Sequence, residues 1–133
     1  MDCIFCKIIA GEIPSDKVYE DEHTLAFLDI NPVNPGHTLV VPKKHVANLE
    51  AADEETLCRI MAAVKKIGLS LKNNLIAPGY NVLENNDPVA GQVVPHLHFH
   101  VTPRTAADGL ELWPQKKYGP GEAEAVLNKI KIT

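Results

Sequence analysis

The chain has 133 residues, 45% of them hydrophobic and 23% charged, and a formal net charge of −4. That length supports one domain with a single substantial core, and the acidic balance argues against a general binder of nucleic-acid polymers, which carries a basic face. No apolar run is long enough to span a bilayer, and the start has no charged-then-apolar leader pattern, so no membrane partner is expected.

Cys3-Ile4-Phe5-Cys6 opens the chain, and a third cysteine stands at Cys58. An odd number of cysteines fits a reducing compartment better than a disulfide framework, and a cytoplasmic protein is expected. Residues 18–20 and 24–30 read as two short strands around a turn at Asp21-Glu22. Asn31-Pro32-Val33-Asn34-Pro35-Gly36 holds two prolines and a glycine and marks a rigid loop. Residues 37–42 form a β-branched strand. Asp53 caps a helix running to about residue 71, with Leu57, Ile60, Val64, Ile67 and Leu71 at spacings of three and four. Asn73-Asn74 and Pro78-Gly79 end it. Residues 80–83 form a strand, 84–91 a loop and 93–103 a long strand. The rest is irregular around Pro114 and Gly119-Pro120-Gly121 until a helix at 122–129. One long helix among about five strands predicts an α+β fold with a mostly antiparallel sheet and short terminal helices, as a single domain over 1–133.

The most informative stretch is His96-Leu97-His98-Phe99-His100-Val101. Alternate side chains of a strand face opposite ways. Three imidazoles would line one exposed face while Leu97, Phe99 and Val101 anchor the other in the core. Such a row supplies groups that titrate near neutrality, attack phosphorus, donate protons or bind metal. Two readings compete: chelation of a catalytic metal, or an imidazole nucleophile with neighbours that position a phosphate. No acidic cluster of the kind a hard-metal phosphoryl site wants lies nearby.

The stretch from Gly91-Gln92 through His96-Leu97-His98-Phe99-His100-Val101-Thr102 resembles the signature of the histidine-triad (HIT) family, in its bacterial, Hint-like branch. Cys3-Ile4-Phe5-Cys6-Lys7-Ile8-Ile9 with Glu12-Ile13-Pro14 is similar to that family's opening segment. Phe27-Leu28-Asp29-Ile30 and the run from Gly36-His37 to His45 are similar to its middle. The resemblance implies an α+β domain that dimerises and cleaves bonds to the α-phosphate of nucleotides. It implies that His98 attacks phosphorus, that His100 contacts a phosphate oxygen, and that His37 completes the catalytic cluster. A neutral imidazole is a competent nucleophile, and a backbone hydrogen bond to its other nitrogen would hold the attacking lone pair forward.

By the same resemblance, Asn85, Gly91 and Gln92 lie beside the phosphate. Phe5, Ile8, Phe27 and Ile30, with Ile4 and Leu28, surround a purine base, and Asp29 binds the ribose hydroxyls. Val93 stands where relatives that cleave P–N bonds commonly carry a serine, and Thr102 stands at the last, normally apolar, position of the signature.

Cys3-x-x-Cys6 is compact enough for both thiolates to reach one ion, although a redox reading is also open to it. The resemblance favours metal, because zinc-bearing relatives use the positions of Cys3, Cys6, His45 and His96. These would form a closed structural zinc site with no part in the chemistry. The expected protein is therefore a zinc-containing homodimeric hydrolase of purine nucleoside 5′-phosphoramidates or related nucleotides, working through a nucleotidyl-His98 intermediate. A dinucleoside polyphosphate hydrolase, a nucleotide- or partner-binding protein with incidental turnover, and a triad-metal hydrolase are the alternatives.

Overall fold

The computed structural model describes residues 2–132. Its elements are α1 (Ile4–Ile9), β1 (Lys17–Glu20), β2 (Thr24–Leu28), β3 (Thr38–Pro42), α2 (Glu54–Asn74), β4 (Gly79–Glu84), β5 (Phe99–Arg104) and α3 (Glu122–Ile130), with a short 3-10 turn at Pro88–Ala90. The strands form one sheet in the order β1-β2-β3-β5-β4, every neighbouring pair antiparallel. This is the expected α+β architecture.

The two faces of the sheet have different partners. Ala26, Val40, Phe99 and Val101 pack against Ile60, Val64, Ile67 and Leu71 of α2. Leu25, Phe27, Leu39 and Val41 pack against Cys3, Phe5 and Ile8 of the N-terminal segment. The central strands β2 and β3 are covered on both sides, which is why they read as continuous apolar runs without polar alternation. Asp53 caps α2 by accepting from the Thr56 amide at 2.8 Å, and Glu54 and Glu55 suit the positive end of the helix dipole. Gly68 lets α2 approach β4 closely, because a Cβ there would collide with the Tyr80 ring.

Three sequence expectations need correction. The strand predicted over 93–103 is regular only over Phe99–Arg104. Pro95 has no amide to donate, the His96 amide turns back to the Val94 carbonyl at 2.9 Å, and the Leu97 amide goes to Val46 at 2.8 Å, outside the sheet. His96 and His98 therefore precede the strand, and both are buried where an exposed histidine face was expected. The strand predicted to reach Ile30 stops at Leu28, because Asp29 turns the chain by accepting the Asn31 amide on its own carboxylate at 2.8 Å. Helix α2 runs through Asn73-Asn74, with Leu75 as its C-cap. Among the described residues, none after Arg104 joins the core: Leu112, Trp113 and Tyr118 are exposed, and α3 buries no residue.

Candidate active site

The face of β5 and β3 opposite α2, the turn after β2 and the helix α1 enclose a cavity of about 710 Å³. His98 and His100 stand at one end. Ile4, Phe5 and Ile8 from α1 with Phe27, Leu28, Ile30 and Leu39 form apolar walls, and Asp29, Asn85 and Gly91 complete the predicted lining. Phe5 sets its ring edge-on to His98 at 5.1 Å between centroids and to Phe27 at 5.6 Å, so α1 is wedged between the histidines and the apolar wall.

The hydrogen bonds assign a tautomer to each ring. His98 donates from Nδ1 to the His96 carbonyl at 2.8 Å, which leaves the Nε2 lone pair free. The Val33 amide donates to His37 Nδ1 at 3.0 Å, so the proton of a neutral His37 sits on Nε2. That proton is shared with His100 Nδ1 at 2.8 Å, which leaves His100 with its own proton on Nε2. One ring thus offers a lone pair and its neighbour an N–H, 5.0 Å apart between centroids. Burial pushes His37, His98 and His100 below the ordinary histidine range. His100 is pushed down to about 4 because His98 and His37 also disfavour its charge. All three rings are neutral near pH 7, the form a nucleophile needs.

Asp29 lies 3.7 Å from His37 Nε2, and its other oxygen holds the Asn31 amide, so the carboxylate is fixed at the cavity edge with lone pairs to spare. Gly91 adopts a φ of +103°, where a side chain would be strained and a Cβ would meet Asn85 Nδ2 at 3.2 Å. Gln92 departs from its expected place. Its amide donates to the carbonyls of Ala47 at 2.7 Å and Val94 at 3.1 Å and accepts from the Asp87 amide at 2.9 Å. It does not line the cavity; it braces the loop that carries Gly91. Asn86 accepts the Leu49 amide at 3.0 Å and is likewise a loop brace. The cavity also includes Ser15, Asp16 and Asn31, which no motif marked, because a short polar run beside a proline reads as a plain turn.

Beside His98, Cys3, Cys6, His45 and His96 bring four donor atoms within 4.8 Å of one another. His96 donates from Nε2 to the Pro42 carbonyl at 2.8 Å, so its Nδ1 lone pair faces the cluster. Nδ1 of His96 lies 3.1 Å from Nδ1 of His45 and 3.5 Å from Cys3 Sγ, and Cys6 Sγ lies 3.4 Å from His45 Nδ1. Tetrahedral zinc with ordinary bond lengths separates its ligands by about 3.3 Å for two nitrogens and about 3.6 Å for nitrogen and sulfur. The donor set fits such an ion. Asp29, His37 and His100 also converge, but the Val33 amide keeps the His37 proton on the nitrogen a metal would need.

Comparison with known proteins matches residues 10–107 to the HIT domain family. The adenosine 5′-monophosphoramidase hnt1 of Schizosaccharomyces pombe is 42% identical over 98% of this chain and 96% of its own length. A crystal structure of a HIT family member from Bacillus subtilis superposes with a TM-score of 0.89 at 44% identity, covering 98% of this chain and 95% of that one. A zinc-bound histidine triad family protein from Mycobacterium smegmatis superposes with a TM-score of 0.80 at 35% identity, covering 98% and 99%.

Proposed function

The chain belongs to the HIT domain family, and from that premise we propose that it is a nucleotide hydrolase that opens the P–N bond of purine nucleoside 5′-phosphoramidates. The observation that carries this reading is the 2.8 Å bond from His98 Nδ1 to the His96 carbonyl, which leaves a neutral Nε2 as nucleophile. The Nε2 lone pair forms a bond to the α-phosphorus as the P–N bond breaks. The amine leaves with the bonding pair and takes a proton from solvent. Water then attacks phosphorus and gives up a proton to solvent, the bond to Nε2 breaks, and its electron pair returns to the ring as the nucleoside monophosphate departs. His100 donates from Nε2 to a phosphate oxygen, with His37 fixing that proton, and the Asn85–Gly91 loop flanks the same group. Asp29 accepts from the ribose hydroxyls, and Phe5, Ile8, Phe27 and Ile30 hold the base.

Cys3, Cys6, His45 and His96 would hold a structural zinc that fastens α1, and with it Phe5, to the histidine segment. Such thiolate ligands call for a reducing compartment such as the cytoplasm. A homodimer is supported by the edge strand β4, where Val82 and Leu83 are exposed, and by the uncovered apolar residues after Arg104. Sedimentation equilibrium at micromolar concentration tests it.

The function itself is tested by the initial rate on adenosine 5′-phosphoramidate for wild type and His98→Ala. Turnover that falls at least a thousandfold in the variant, about 4 kcal/mol of barrier, supports covalent catalysis. Equal inactivity of both proteins rejects the phosphoramidase reading.

A further inference from the structure

The sheet register acts as a ruler for the cavity. His100 on β5 stands opposite Leu39 on β3, Leu39 opposite Phe27 on β2, and Phe27 opposite Lys17 at the start of β1. Three inter-strand steps of about 4.8 Å set the far end of this row about 14 Å from the histidines. Asp16 occupies that end. Its carbonyl accepts the Leu28 amide at 3.0 Å, and the residue lines the same cavity as His98 and His100. The separation is of the order of an extended purine nucleoside monophosphate laid across the strands, with one hydrogen bond added beyond the base.

Asp16 is exposed, and its carboxylate has no salt bridge or hydrogen-bond donor among the described residues. The adjacent Lys17 is engaged with Glu20 at 2.9 Å. The apolar walls can hold either purine by packing and cannot tell one from the other. An unpaired carboxylate can. It accepts two donors side by side, which is what N1–H and the N2 amino group of guanine offer. Adenine presents one amino group beside the N1 lone pair, which repels the second oxygen.

We infer that Asp16 is a specificity-determining residue that makes guanine nucleotides the preferred ligands of this cavity over adenine nucleotides. The inference rests on the nucleotide reading of the site.

It is tested by calorimetric Kd values of GMP, IMP and AMP for the full chain and for Asp16→Ala. The expected order is GMP, then IMP with its single donor, then AMP, with about tenfold between first and last, or about 1.4 kcal/mol. Asp16→Ala should erase the difference between GMP and AMP, and an unchanged circular dichroism spectrum and melting temperature show the variant to be folded. Equal binding of GMP and AMP by wild type, or a preference that survives Asp16→Ala, overturns the inference alone. Failure of all three nucleotides to bind overturns it together with the function on which it rests.

Discussion

The main-chain carbonyl of His96 accepts the Nδ1 proton of His98 at 2.8 Å, while the ring of the same His96 points its Nδ1 at Cys3 Sγ, 3.5 Å away. The residue that orients the candidate nucleophile is therefore also a member of the cysteine–histidine cluster. Phe5, between Cys3 and Cys6, touches both rings edge-on, at 5.8 Å to His96 and 5.1 Å to His98. Cluster, cavity wall and His98 form one packed unit.

Removing the ion that this cluster fits should therefore act on stability and substrate affinity before it acts on chemistry. An ion held at a hundredfold excess over its Kd stabilises the fold by about 2.7 kcal/mol, which for a domain of this size shifts Tm by roughly 10 °C. Chelator-treated protein should melt lower by about that amount and show a raised KM, because the α1 wall is loosened, with kcat largely kept. Calorimetry and steady-state rates on matched samples check this. A kcat abolished by chelation and restored by zinc would instead place the ion in the reaction.

The depressed histidines give a signed pH dependence. His37, His98 and His100 are held below the ordinary value of about 6.5, so the unfolded chain binds their protons more readily than the folded one. Their contribution to stability is complete above pH 6.5 and is lost as pH falls toward about 4, the value for His100. Urea midpoints should fall across that window. The rate should be level near pH 7 and decline in acid as His98 Nε2 takes a proton, with an apparent pKa below 6.5. A rate that rises on acidification through this range would contradict a neutral nucleophile.

Much of this was legible in the sequence because it is carried by periodicity. Ile60, Val64, Ile67 and Leu71 announced the buried stripe of α2, and Asp53 its cap. Leu97, Phe99 and Val101 do lie on the core side of the histidine segment, as alternation requires. What could not be read was set by hydrogen bonds between residues distant in sequence. The late start of the histidine strand, at Phe99, depends on the Leu97 amide finding Val46. Gln92 is withdrawn from the cavity by the carbonyls of Ala47 and Val94. The place of Asp16 at the far end of the cavity follows from strand order, and no local pattern encodes strand order.

His37 is best tested by a substitution that keeps the packing and removes the proton. It is buried, its Nδ1 is engaged by the Val33 amide at 3.0 Å, and its Nε2 meets His100 Nδ1 at 2.8 Å. His37→Leu should leave His100 free to hold its proton on either nitrogen. Nitrogen chemical shifts of the His100 ring should change from a single tautomer to a mixture. The rate should fall severalfold, in kcat rather than KM, since in the proposed reaction the His100 donor is no longer held in one tautomer. Unchanged shifts together with an unchanged rate would show that His37 does no more than fill space.

An amine departing from phosphorus must gain a proton, and a general acid within hydrogen-bond reach accelerates that step most for the most basic amines. Val93 lines the cavity and is 89% exposed, yet its side chain has no proton to give. The wild-type rate should therefore depend steeply on leaving-group basicity, with arylamine phosphoramidates cleaved much faster than alkylamine ones. Val93→Ser places a hydroxyl at the same position on an exposed loop, where little packing is at stake. It should raise kcat for alkylamine substrates severalfold and leave arylamine substrates nearly unchanged, flattening the dependence. If serine raises both rates equally or neither, the departing amine draws its proton from somewhere other than this side of the cavity.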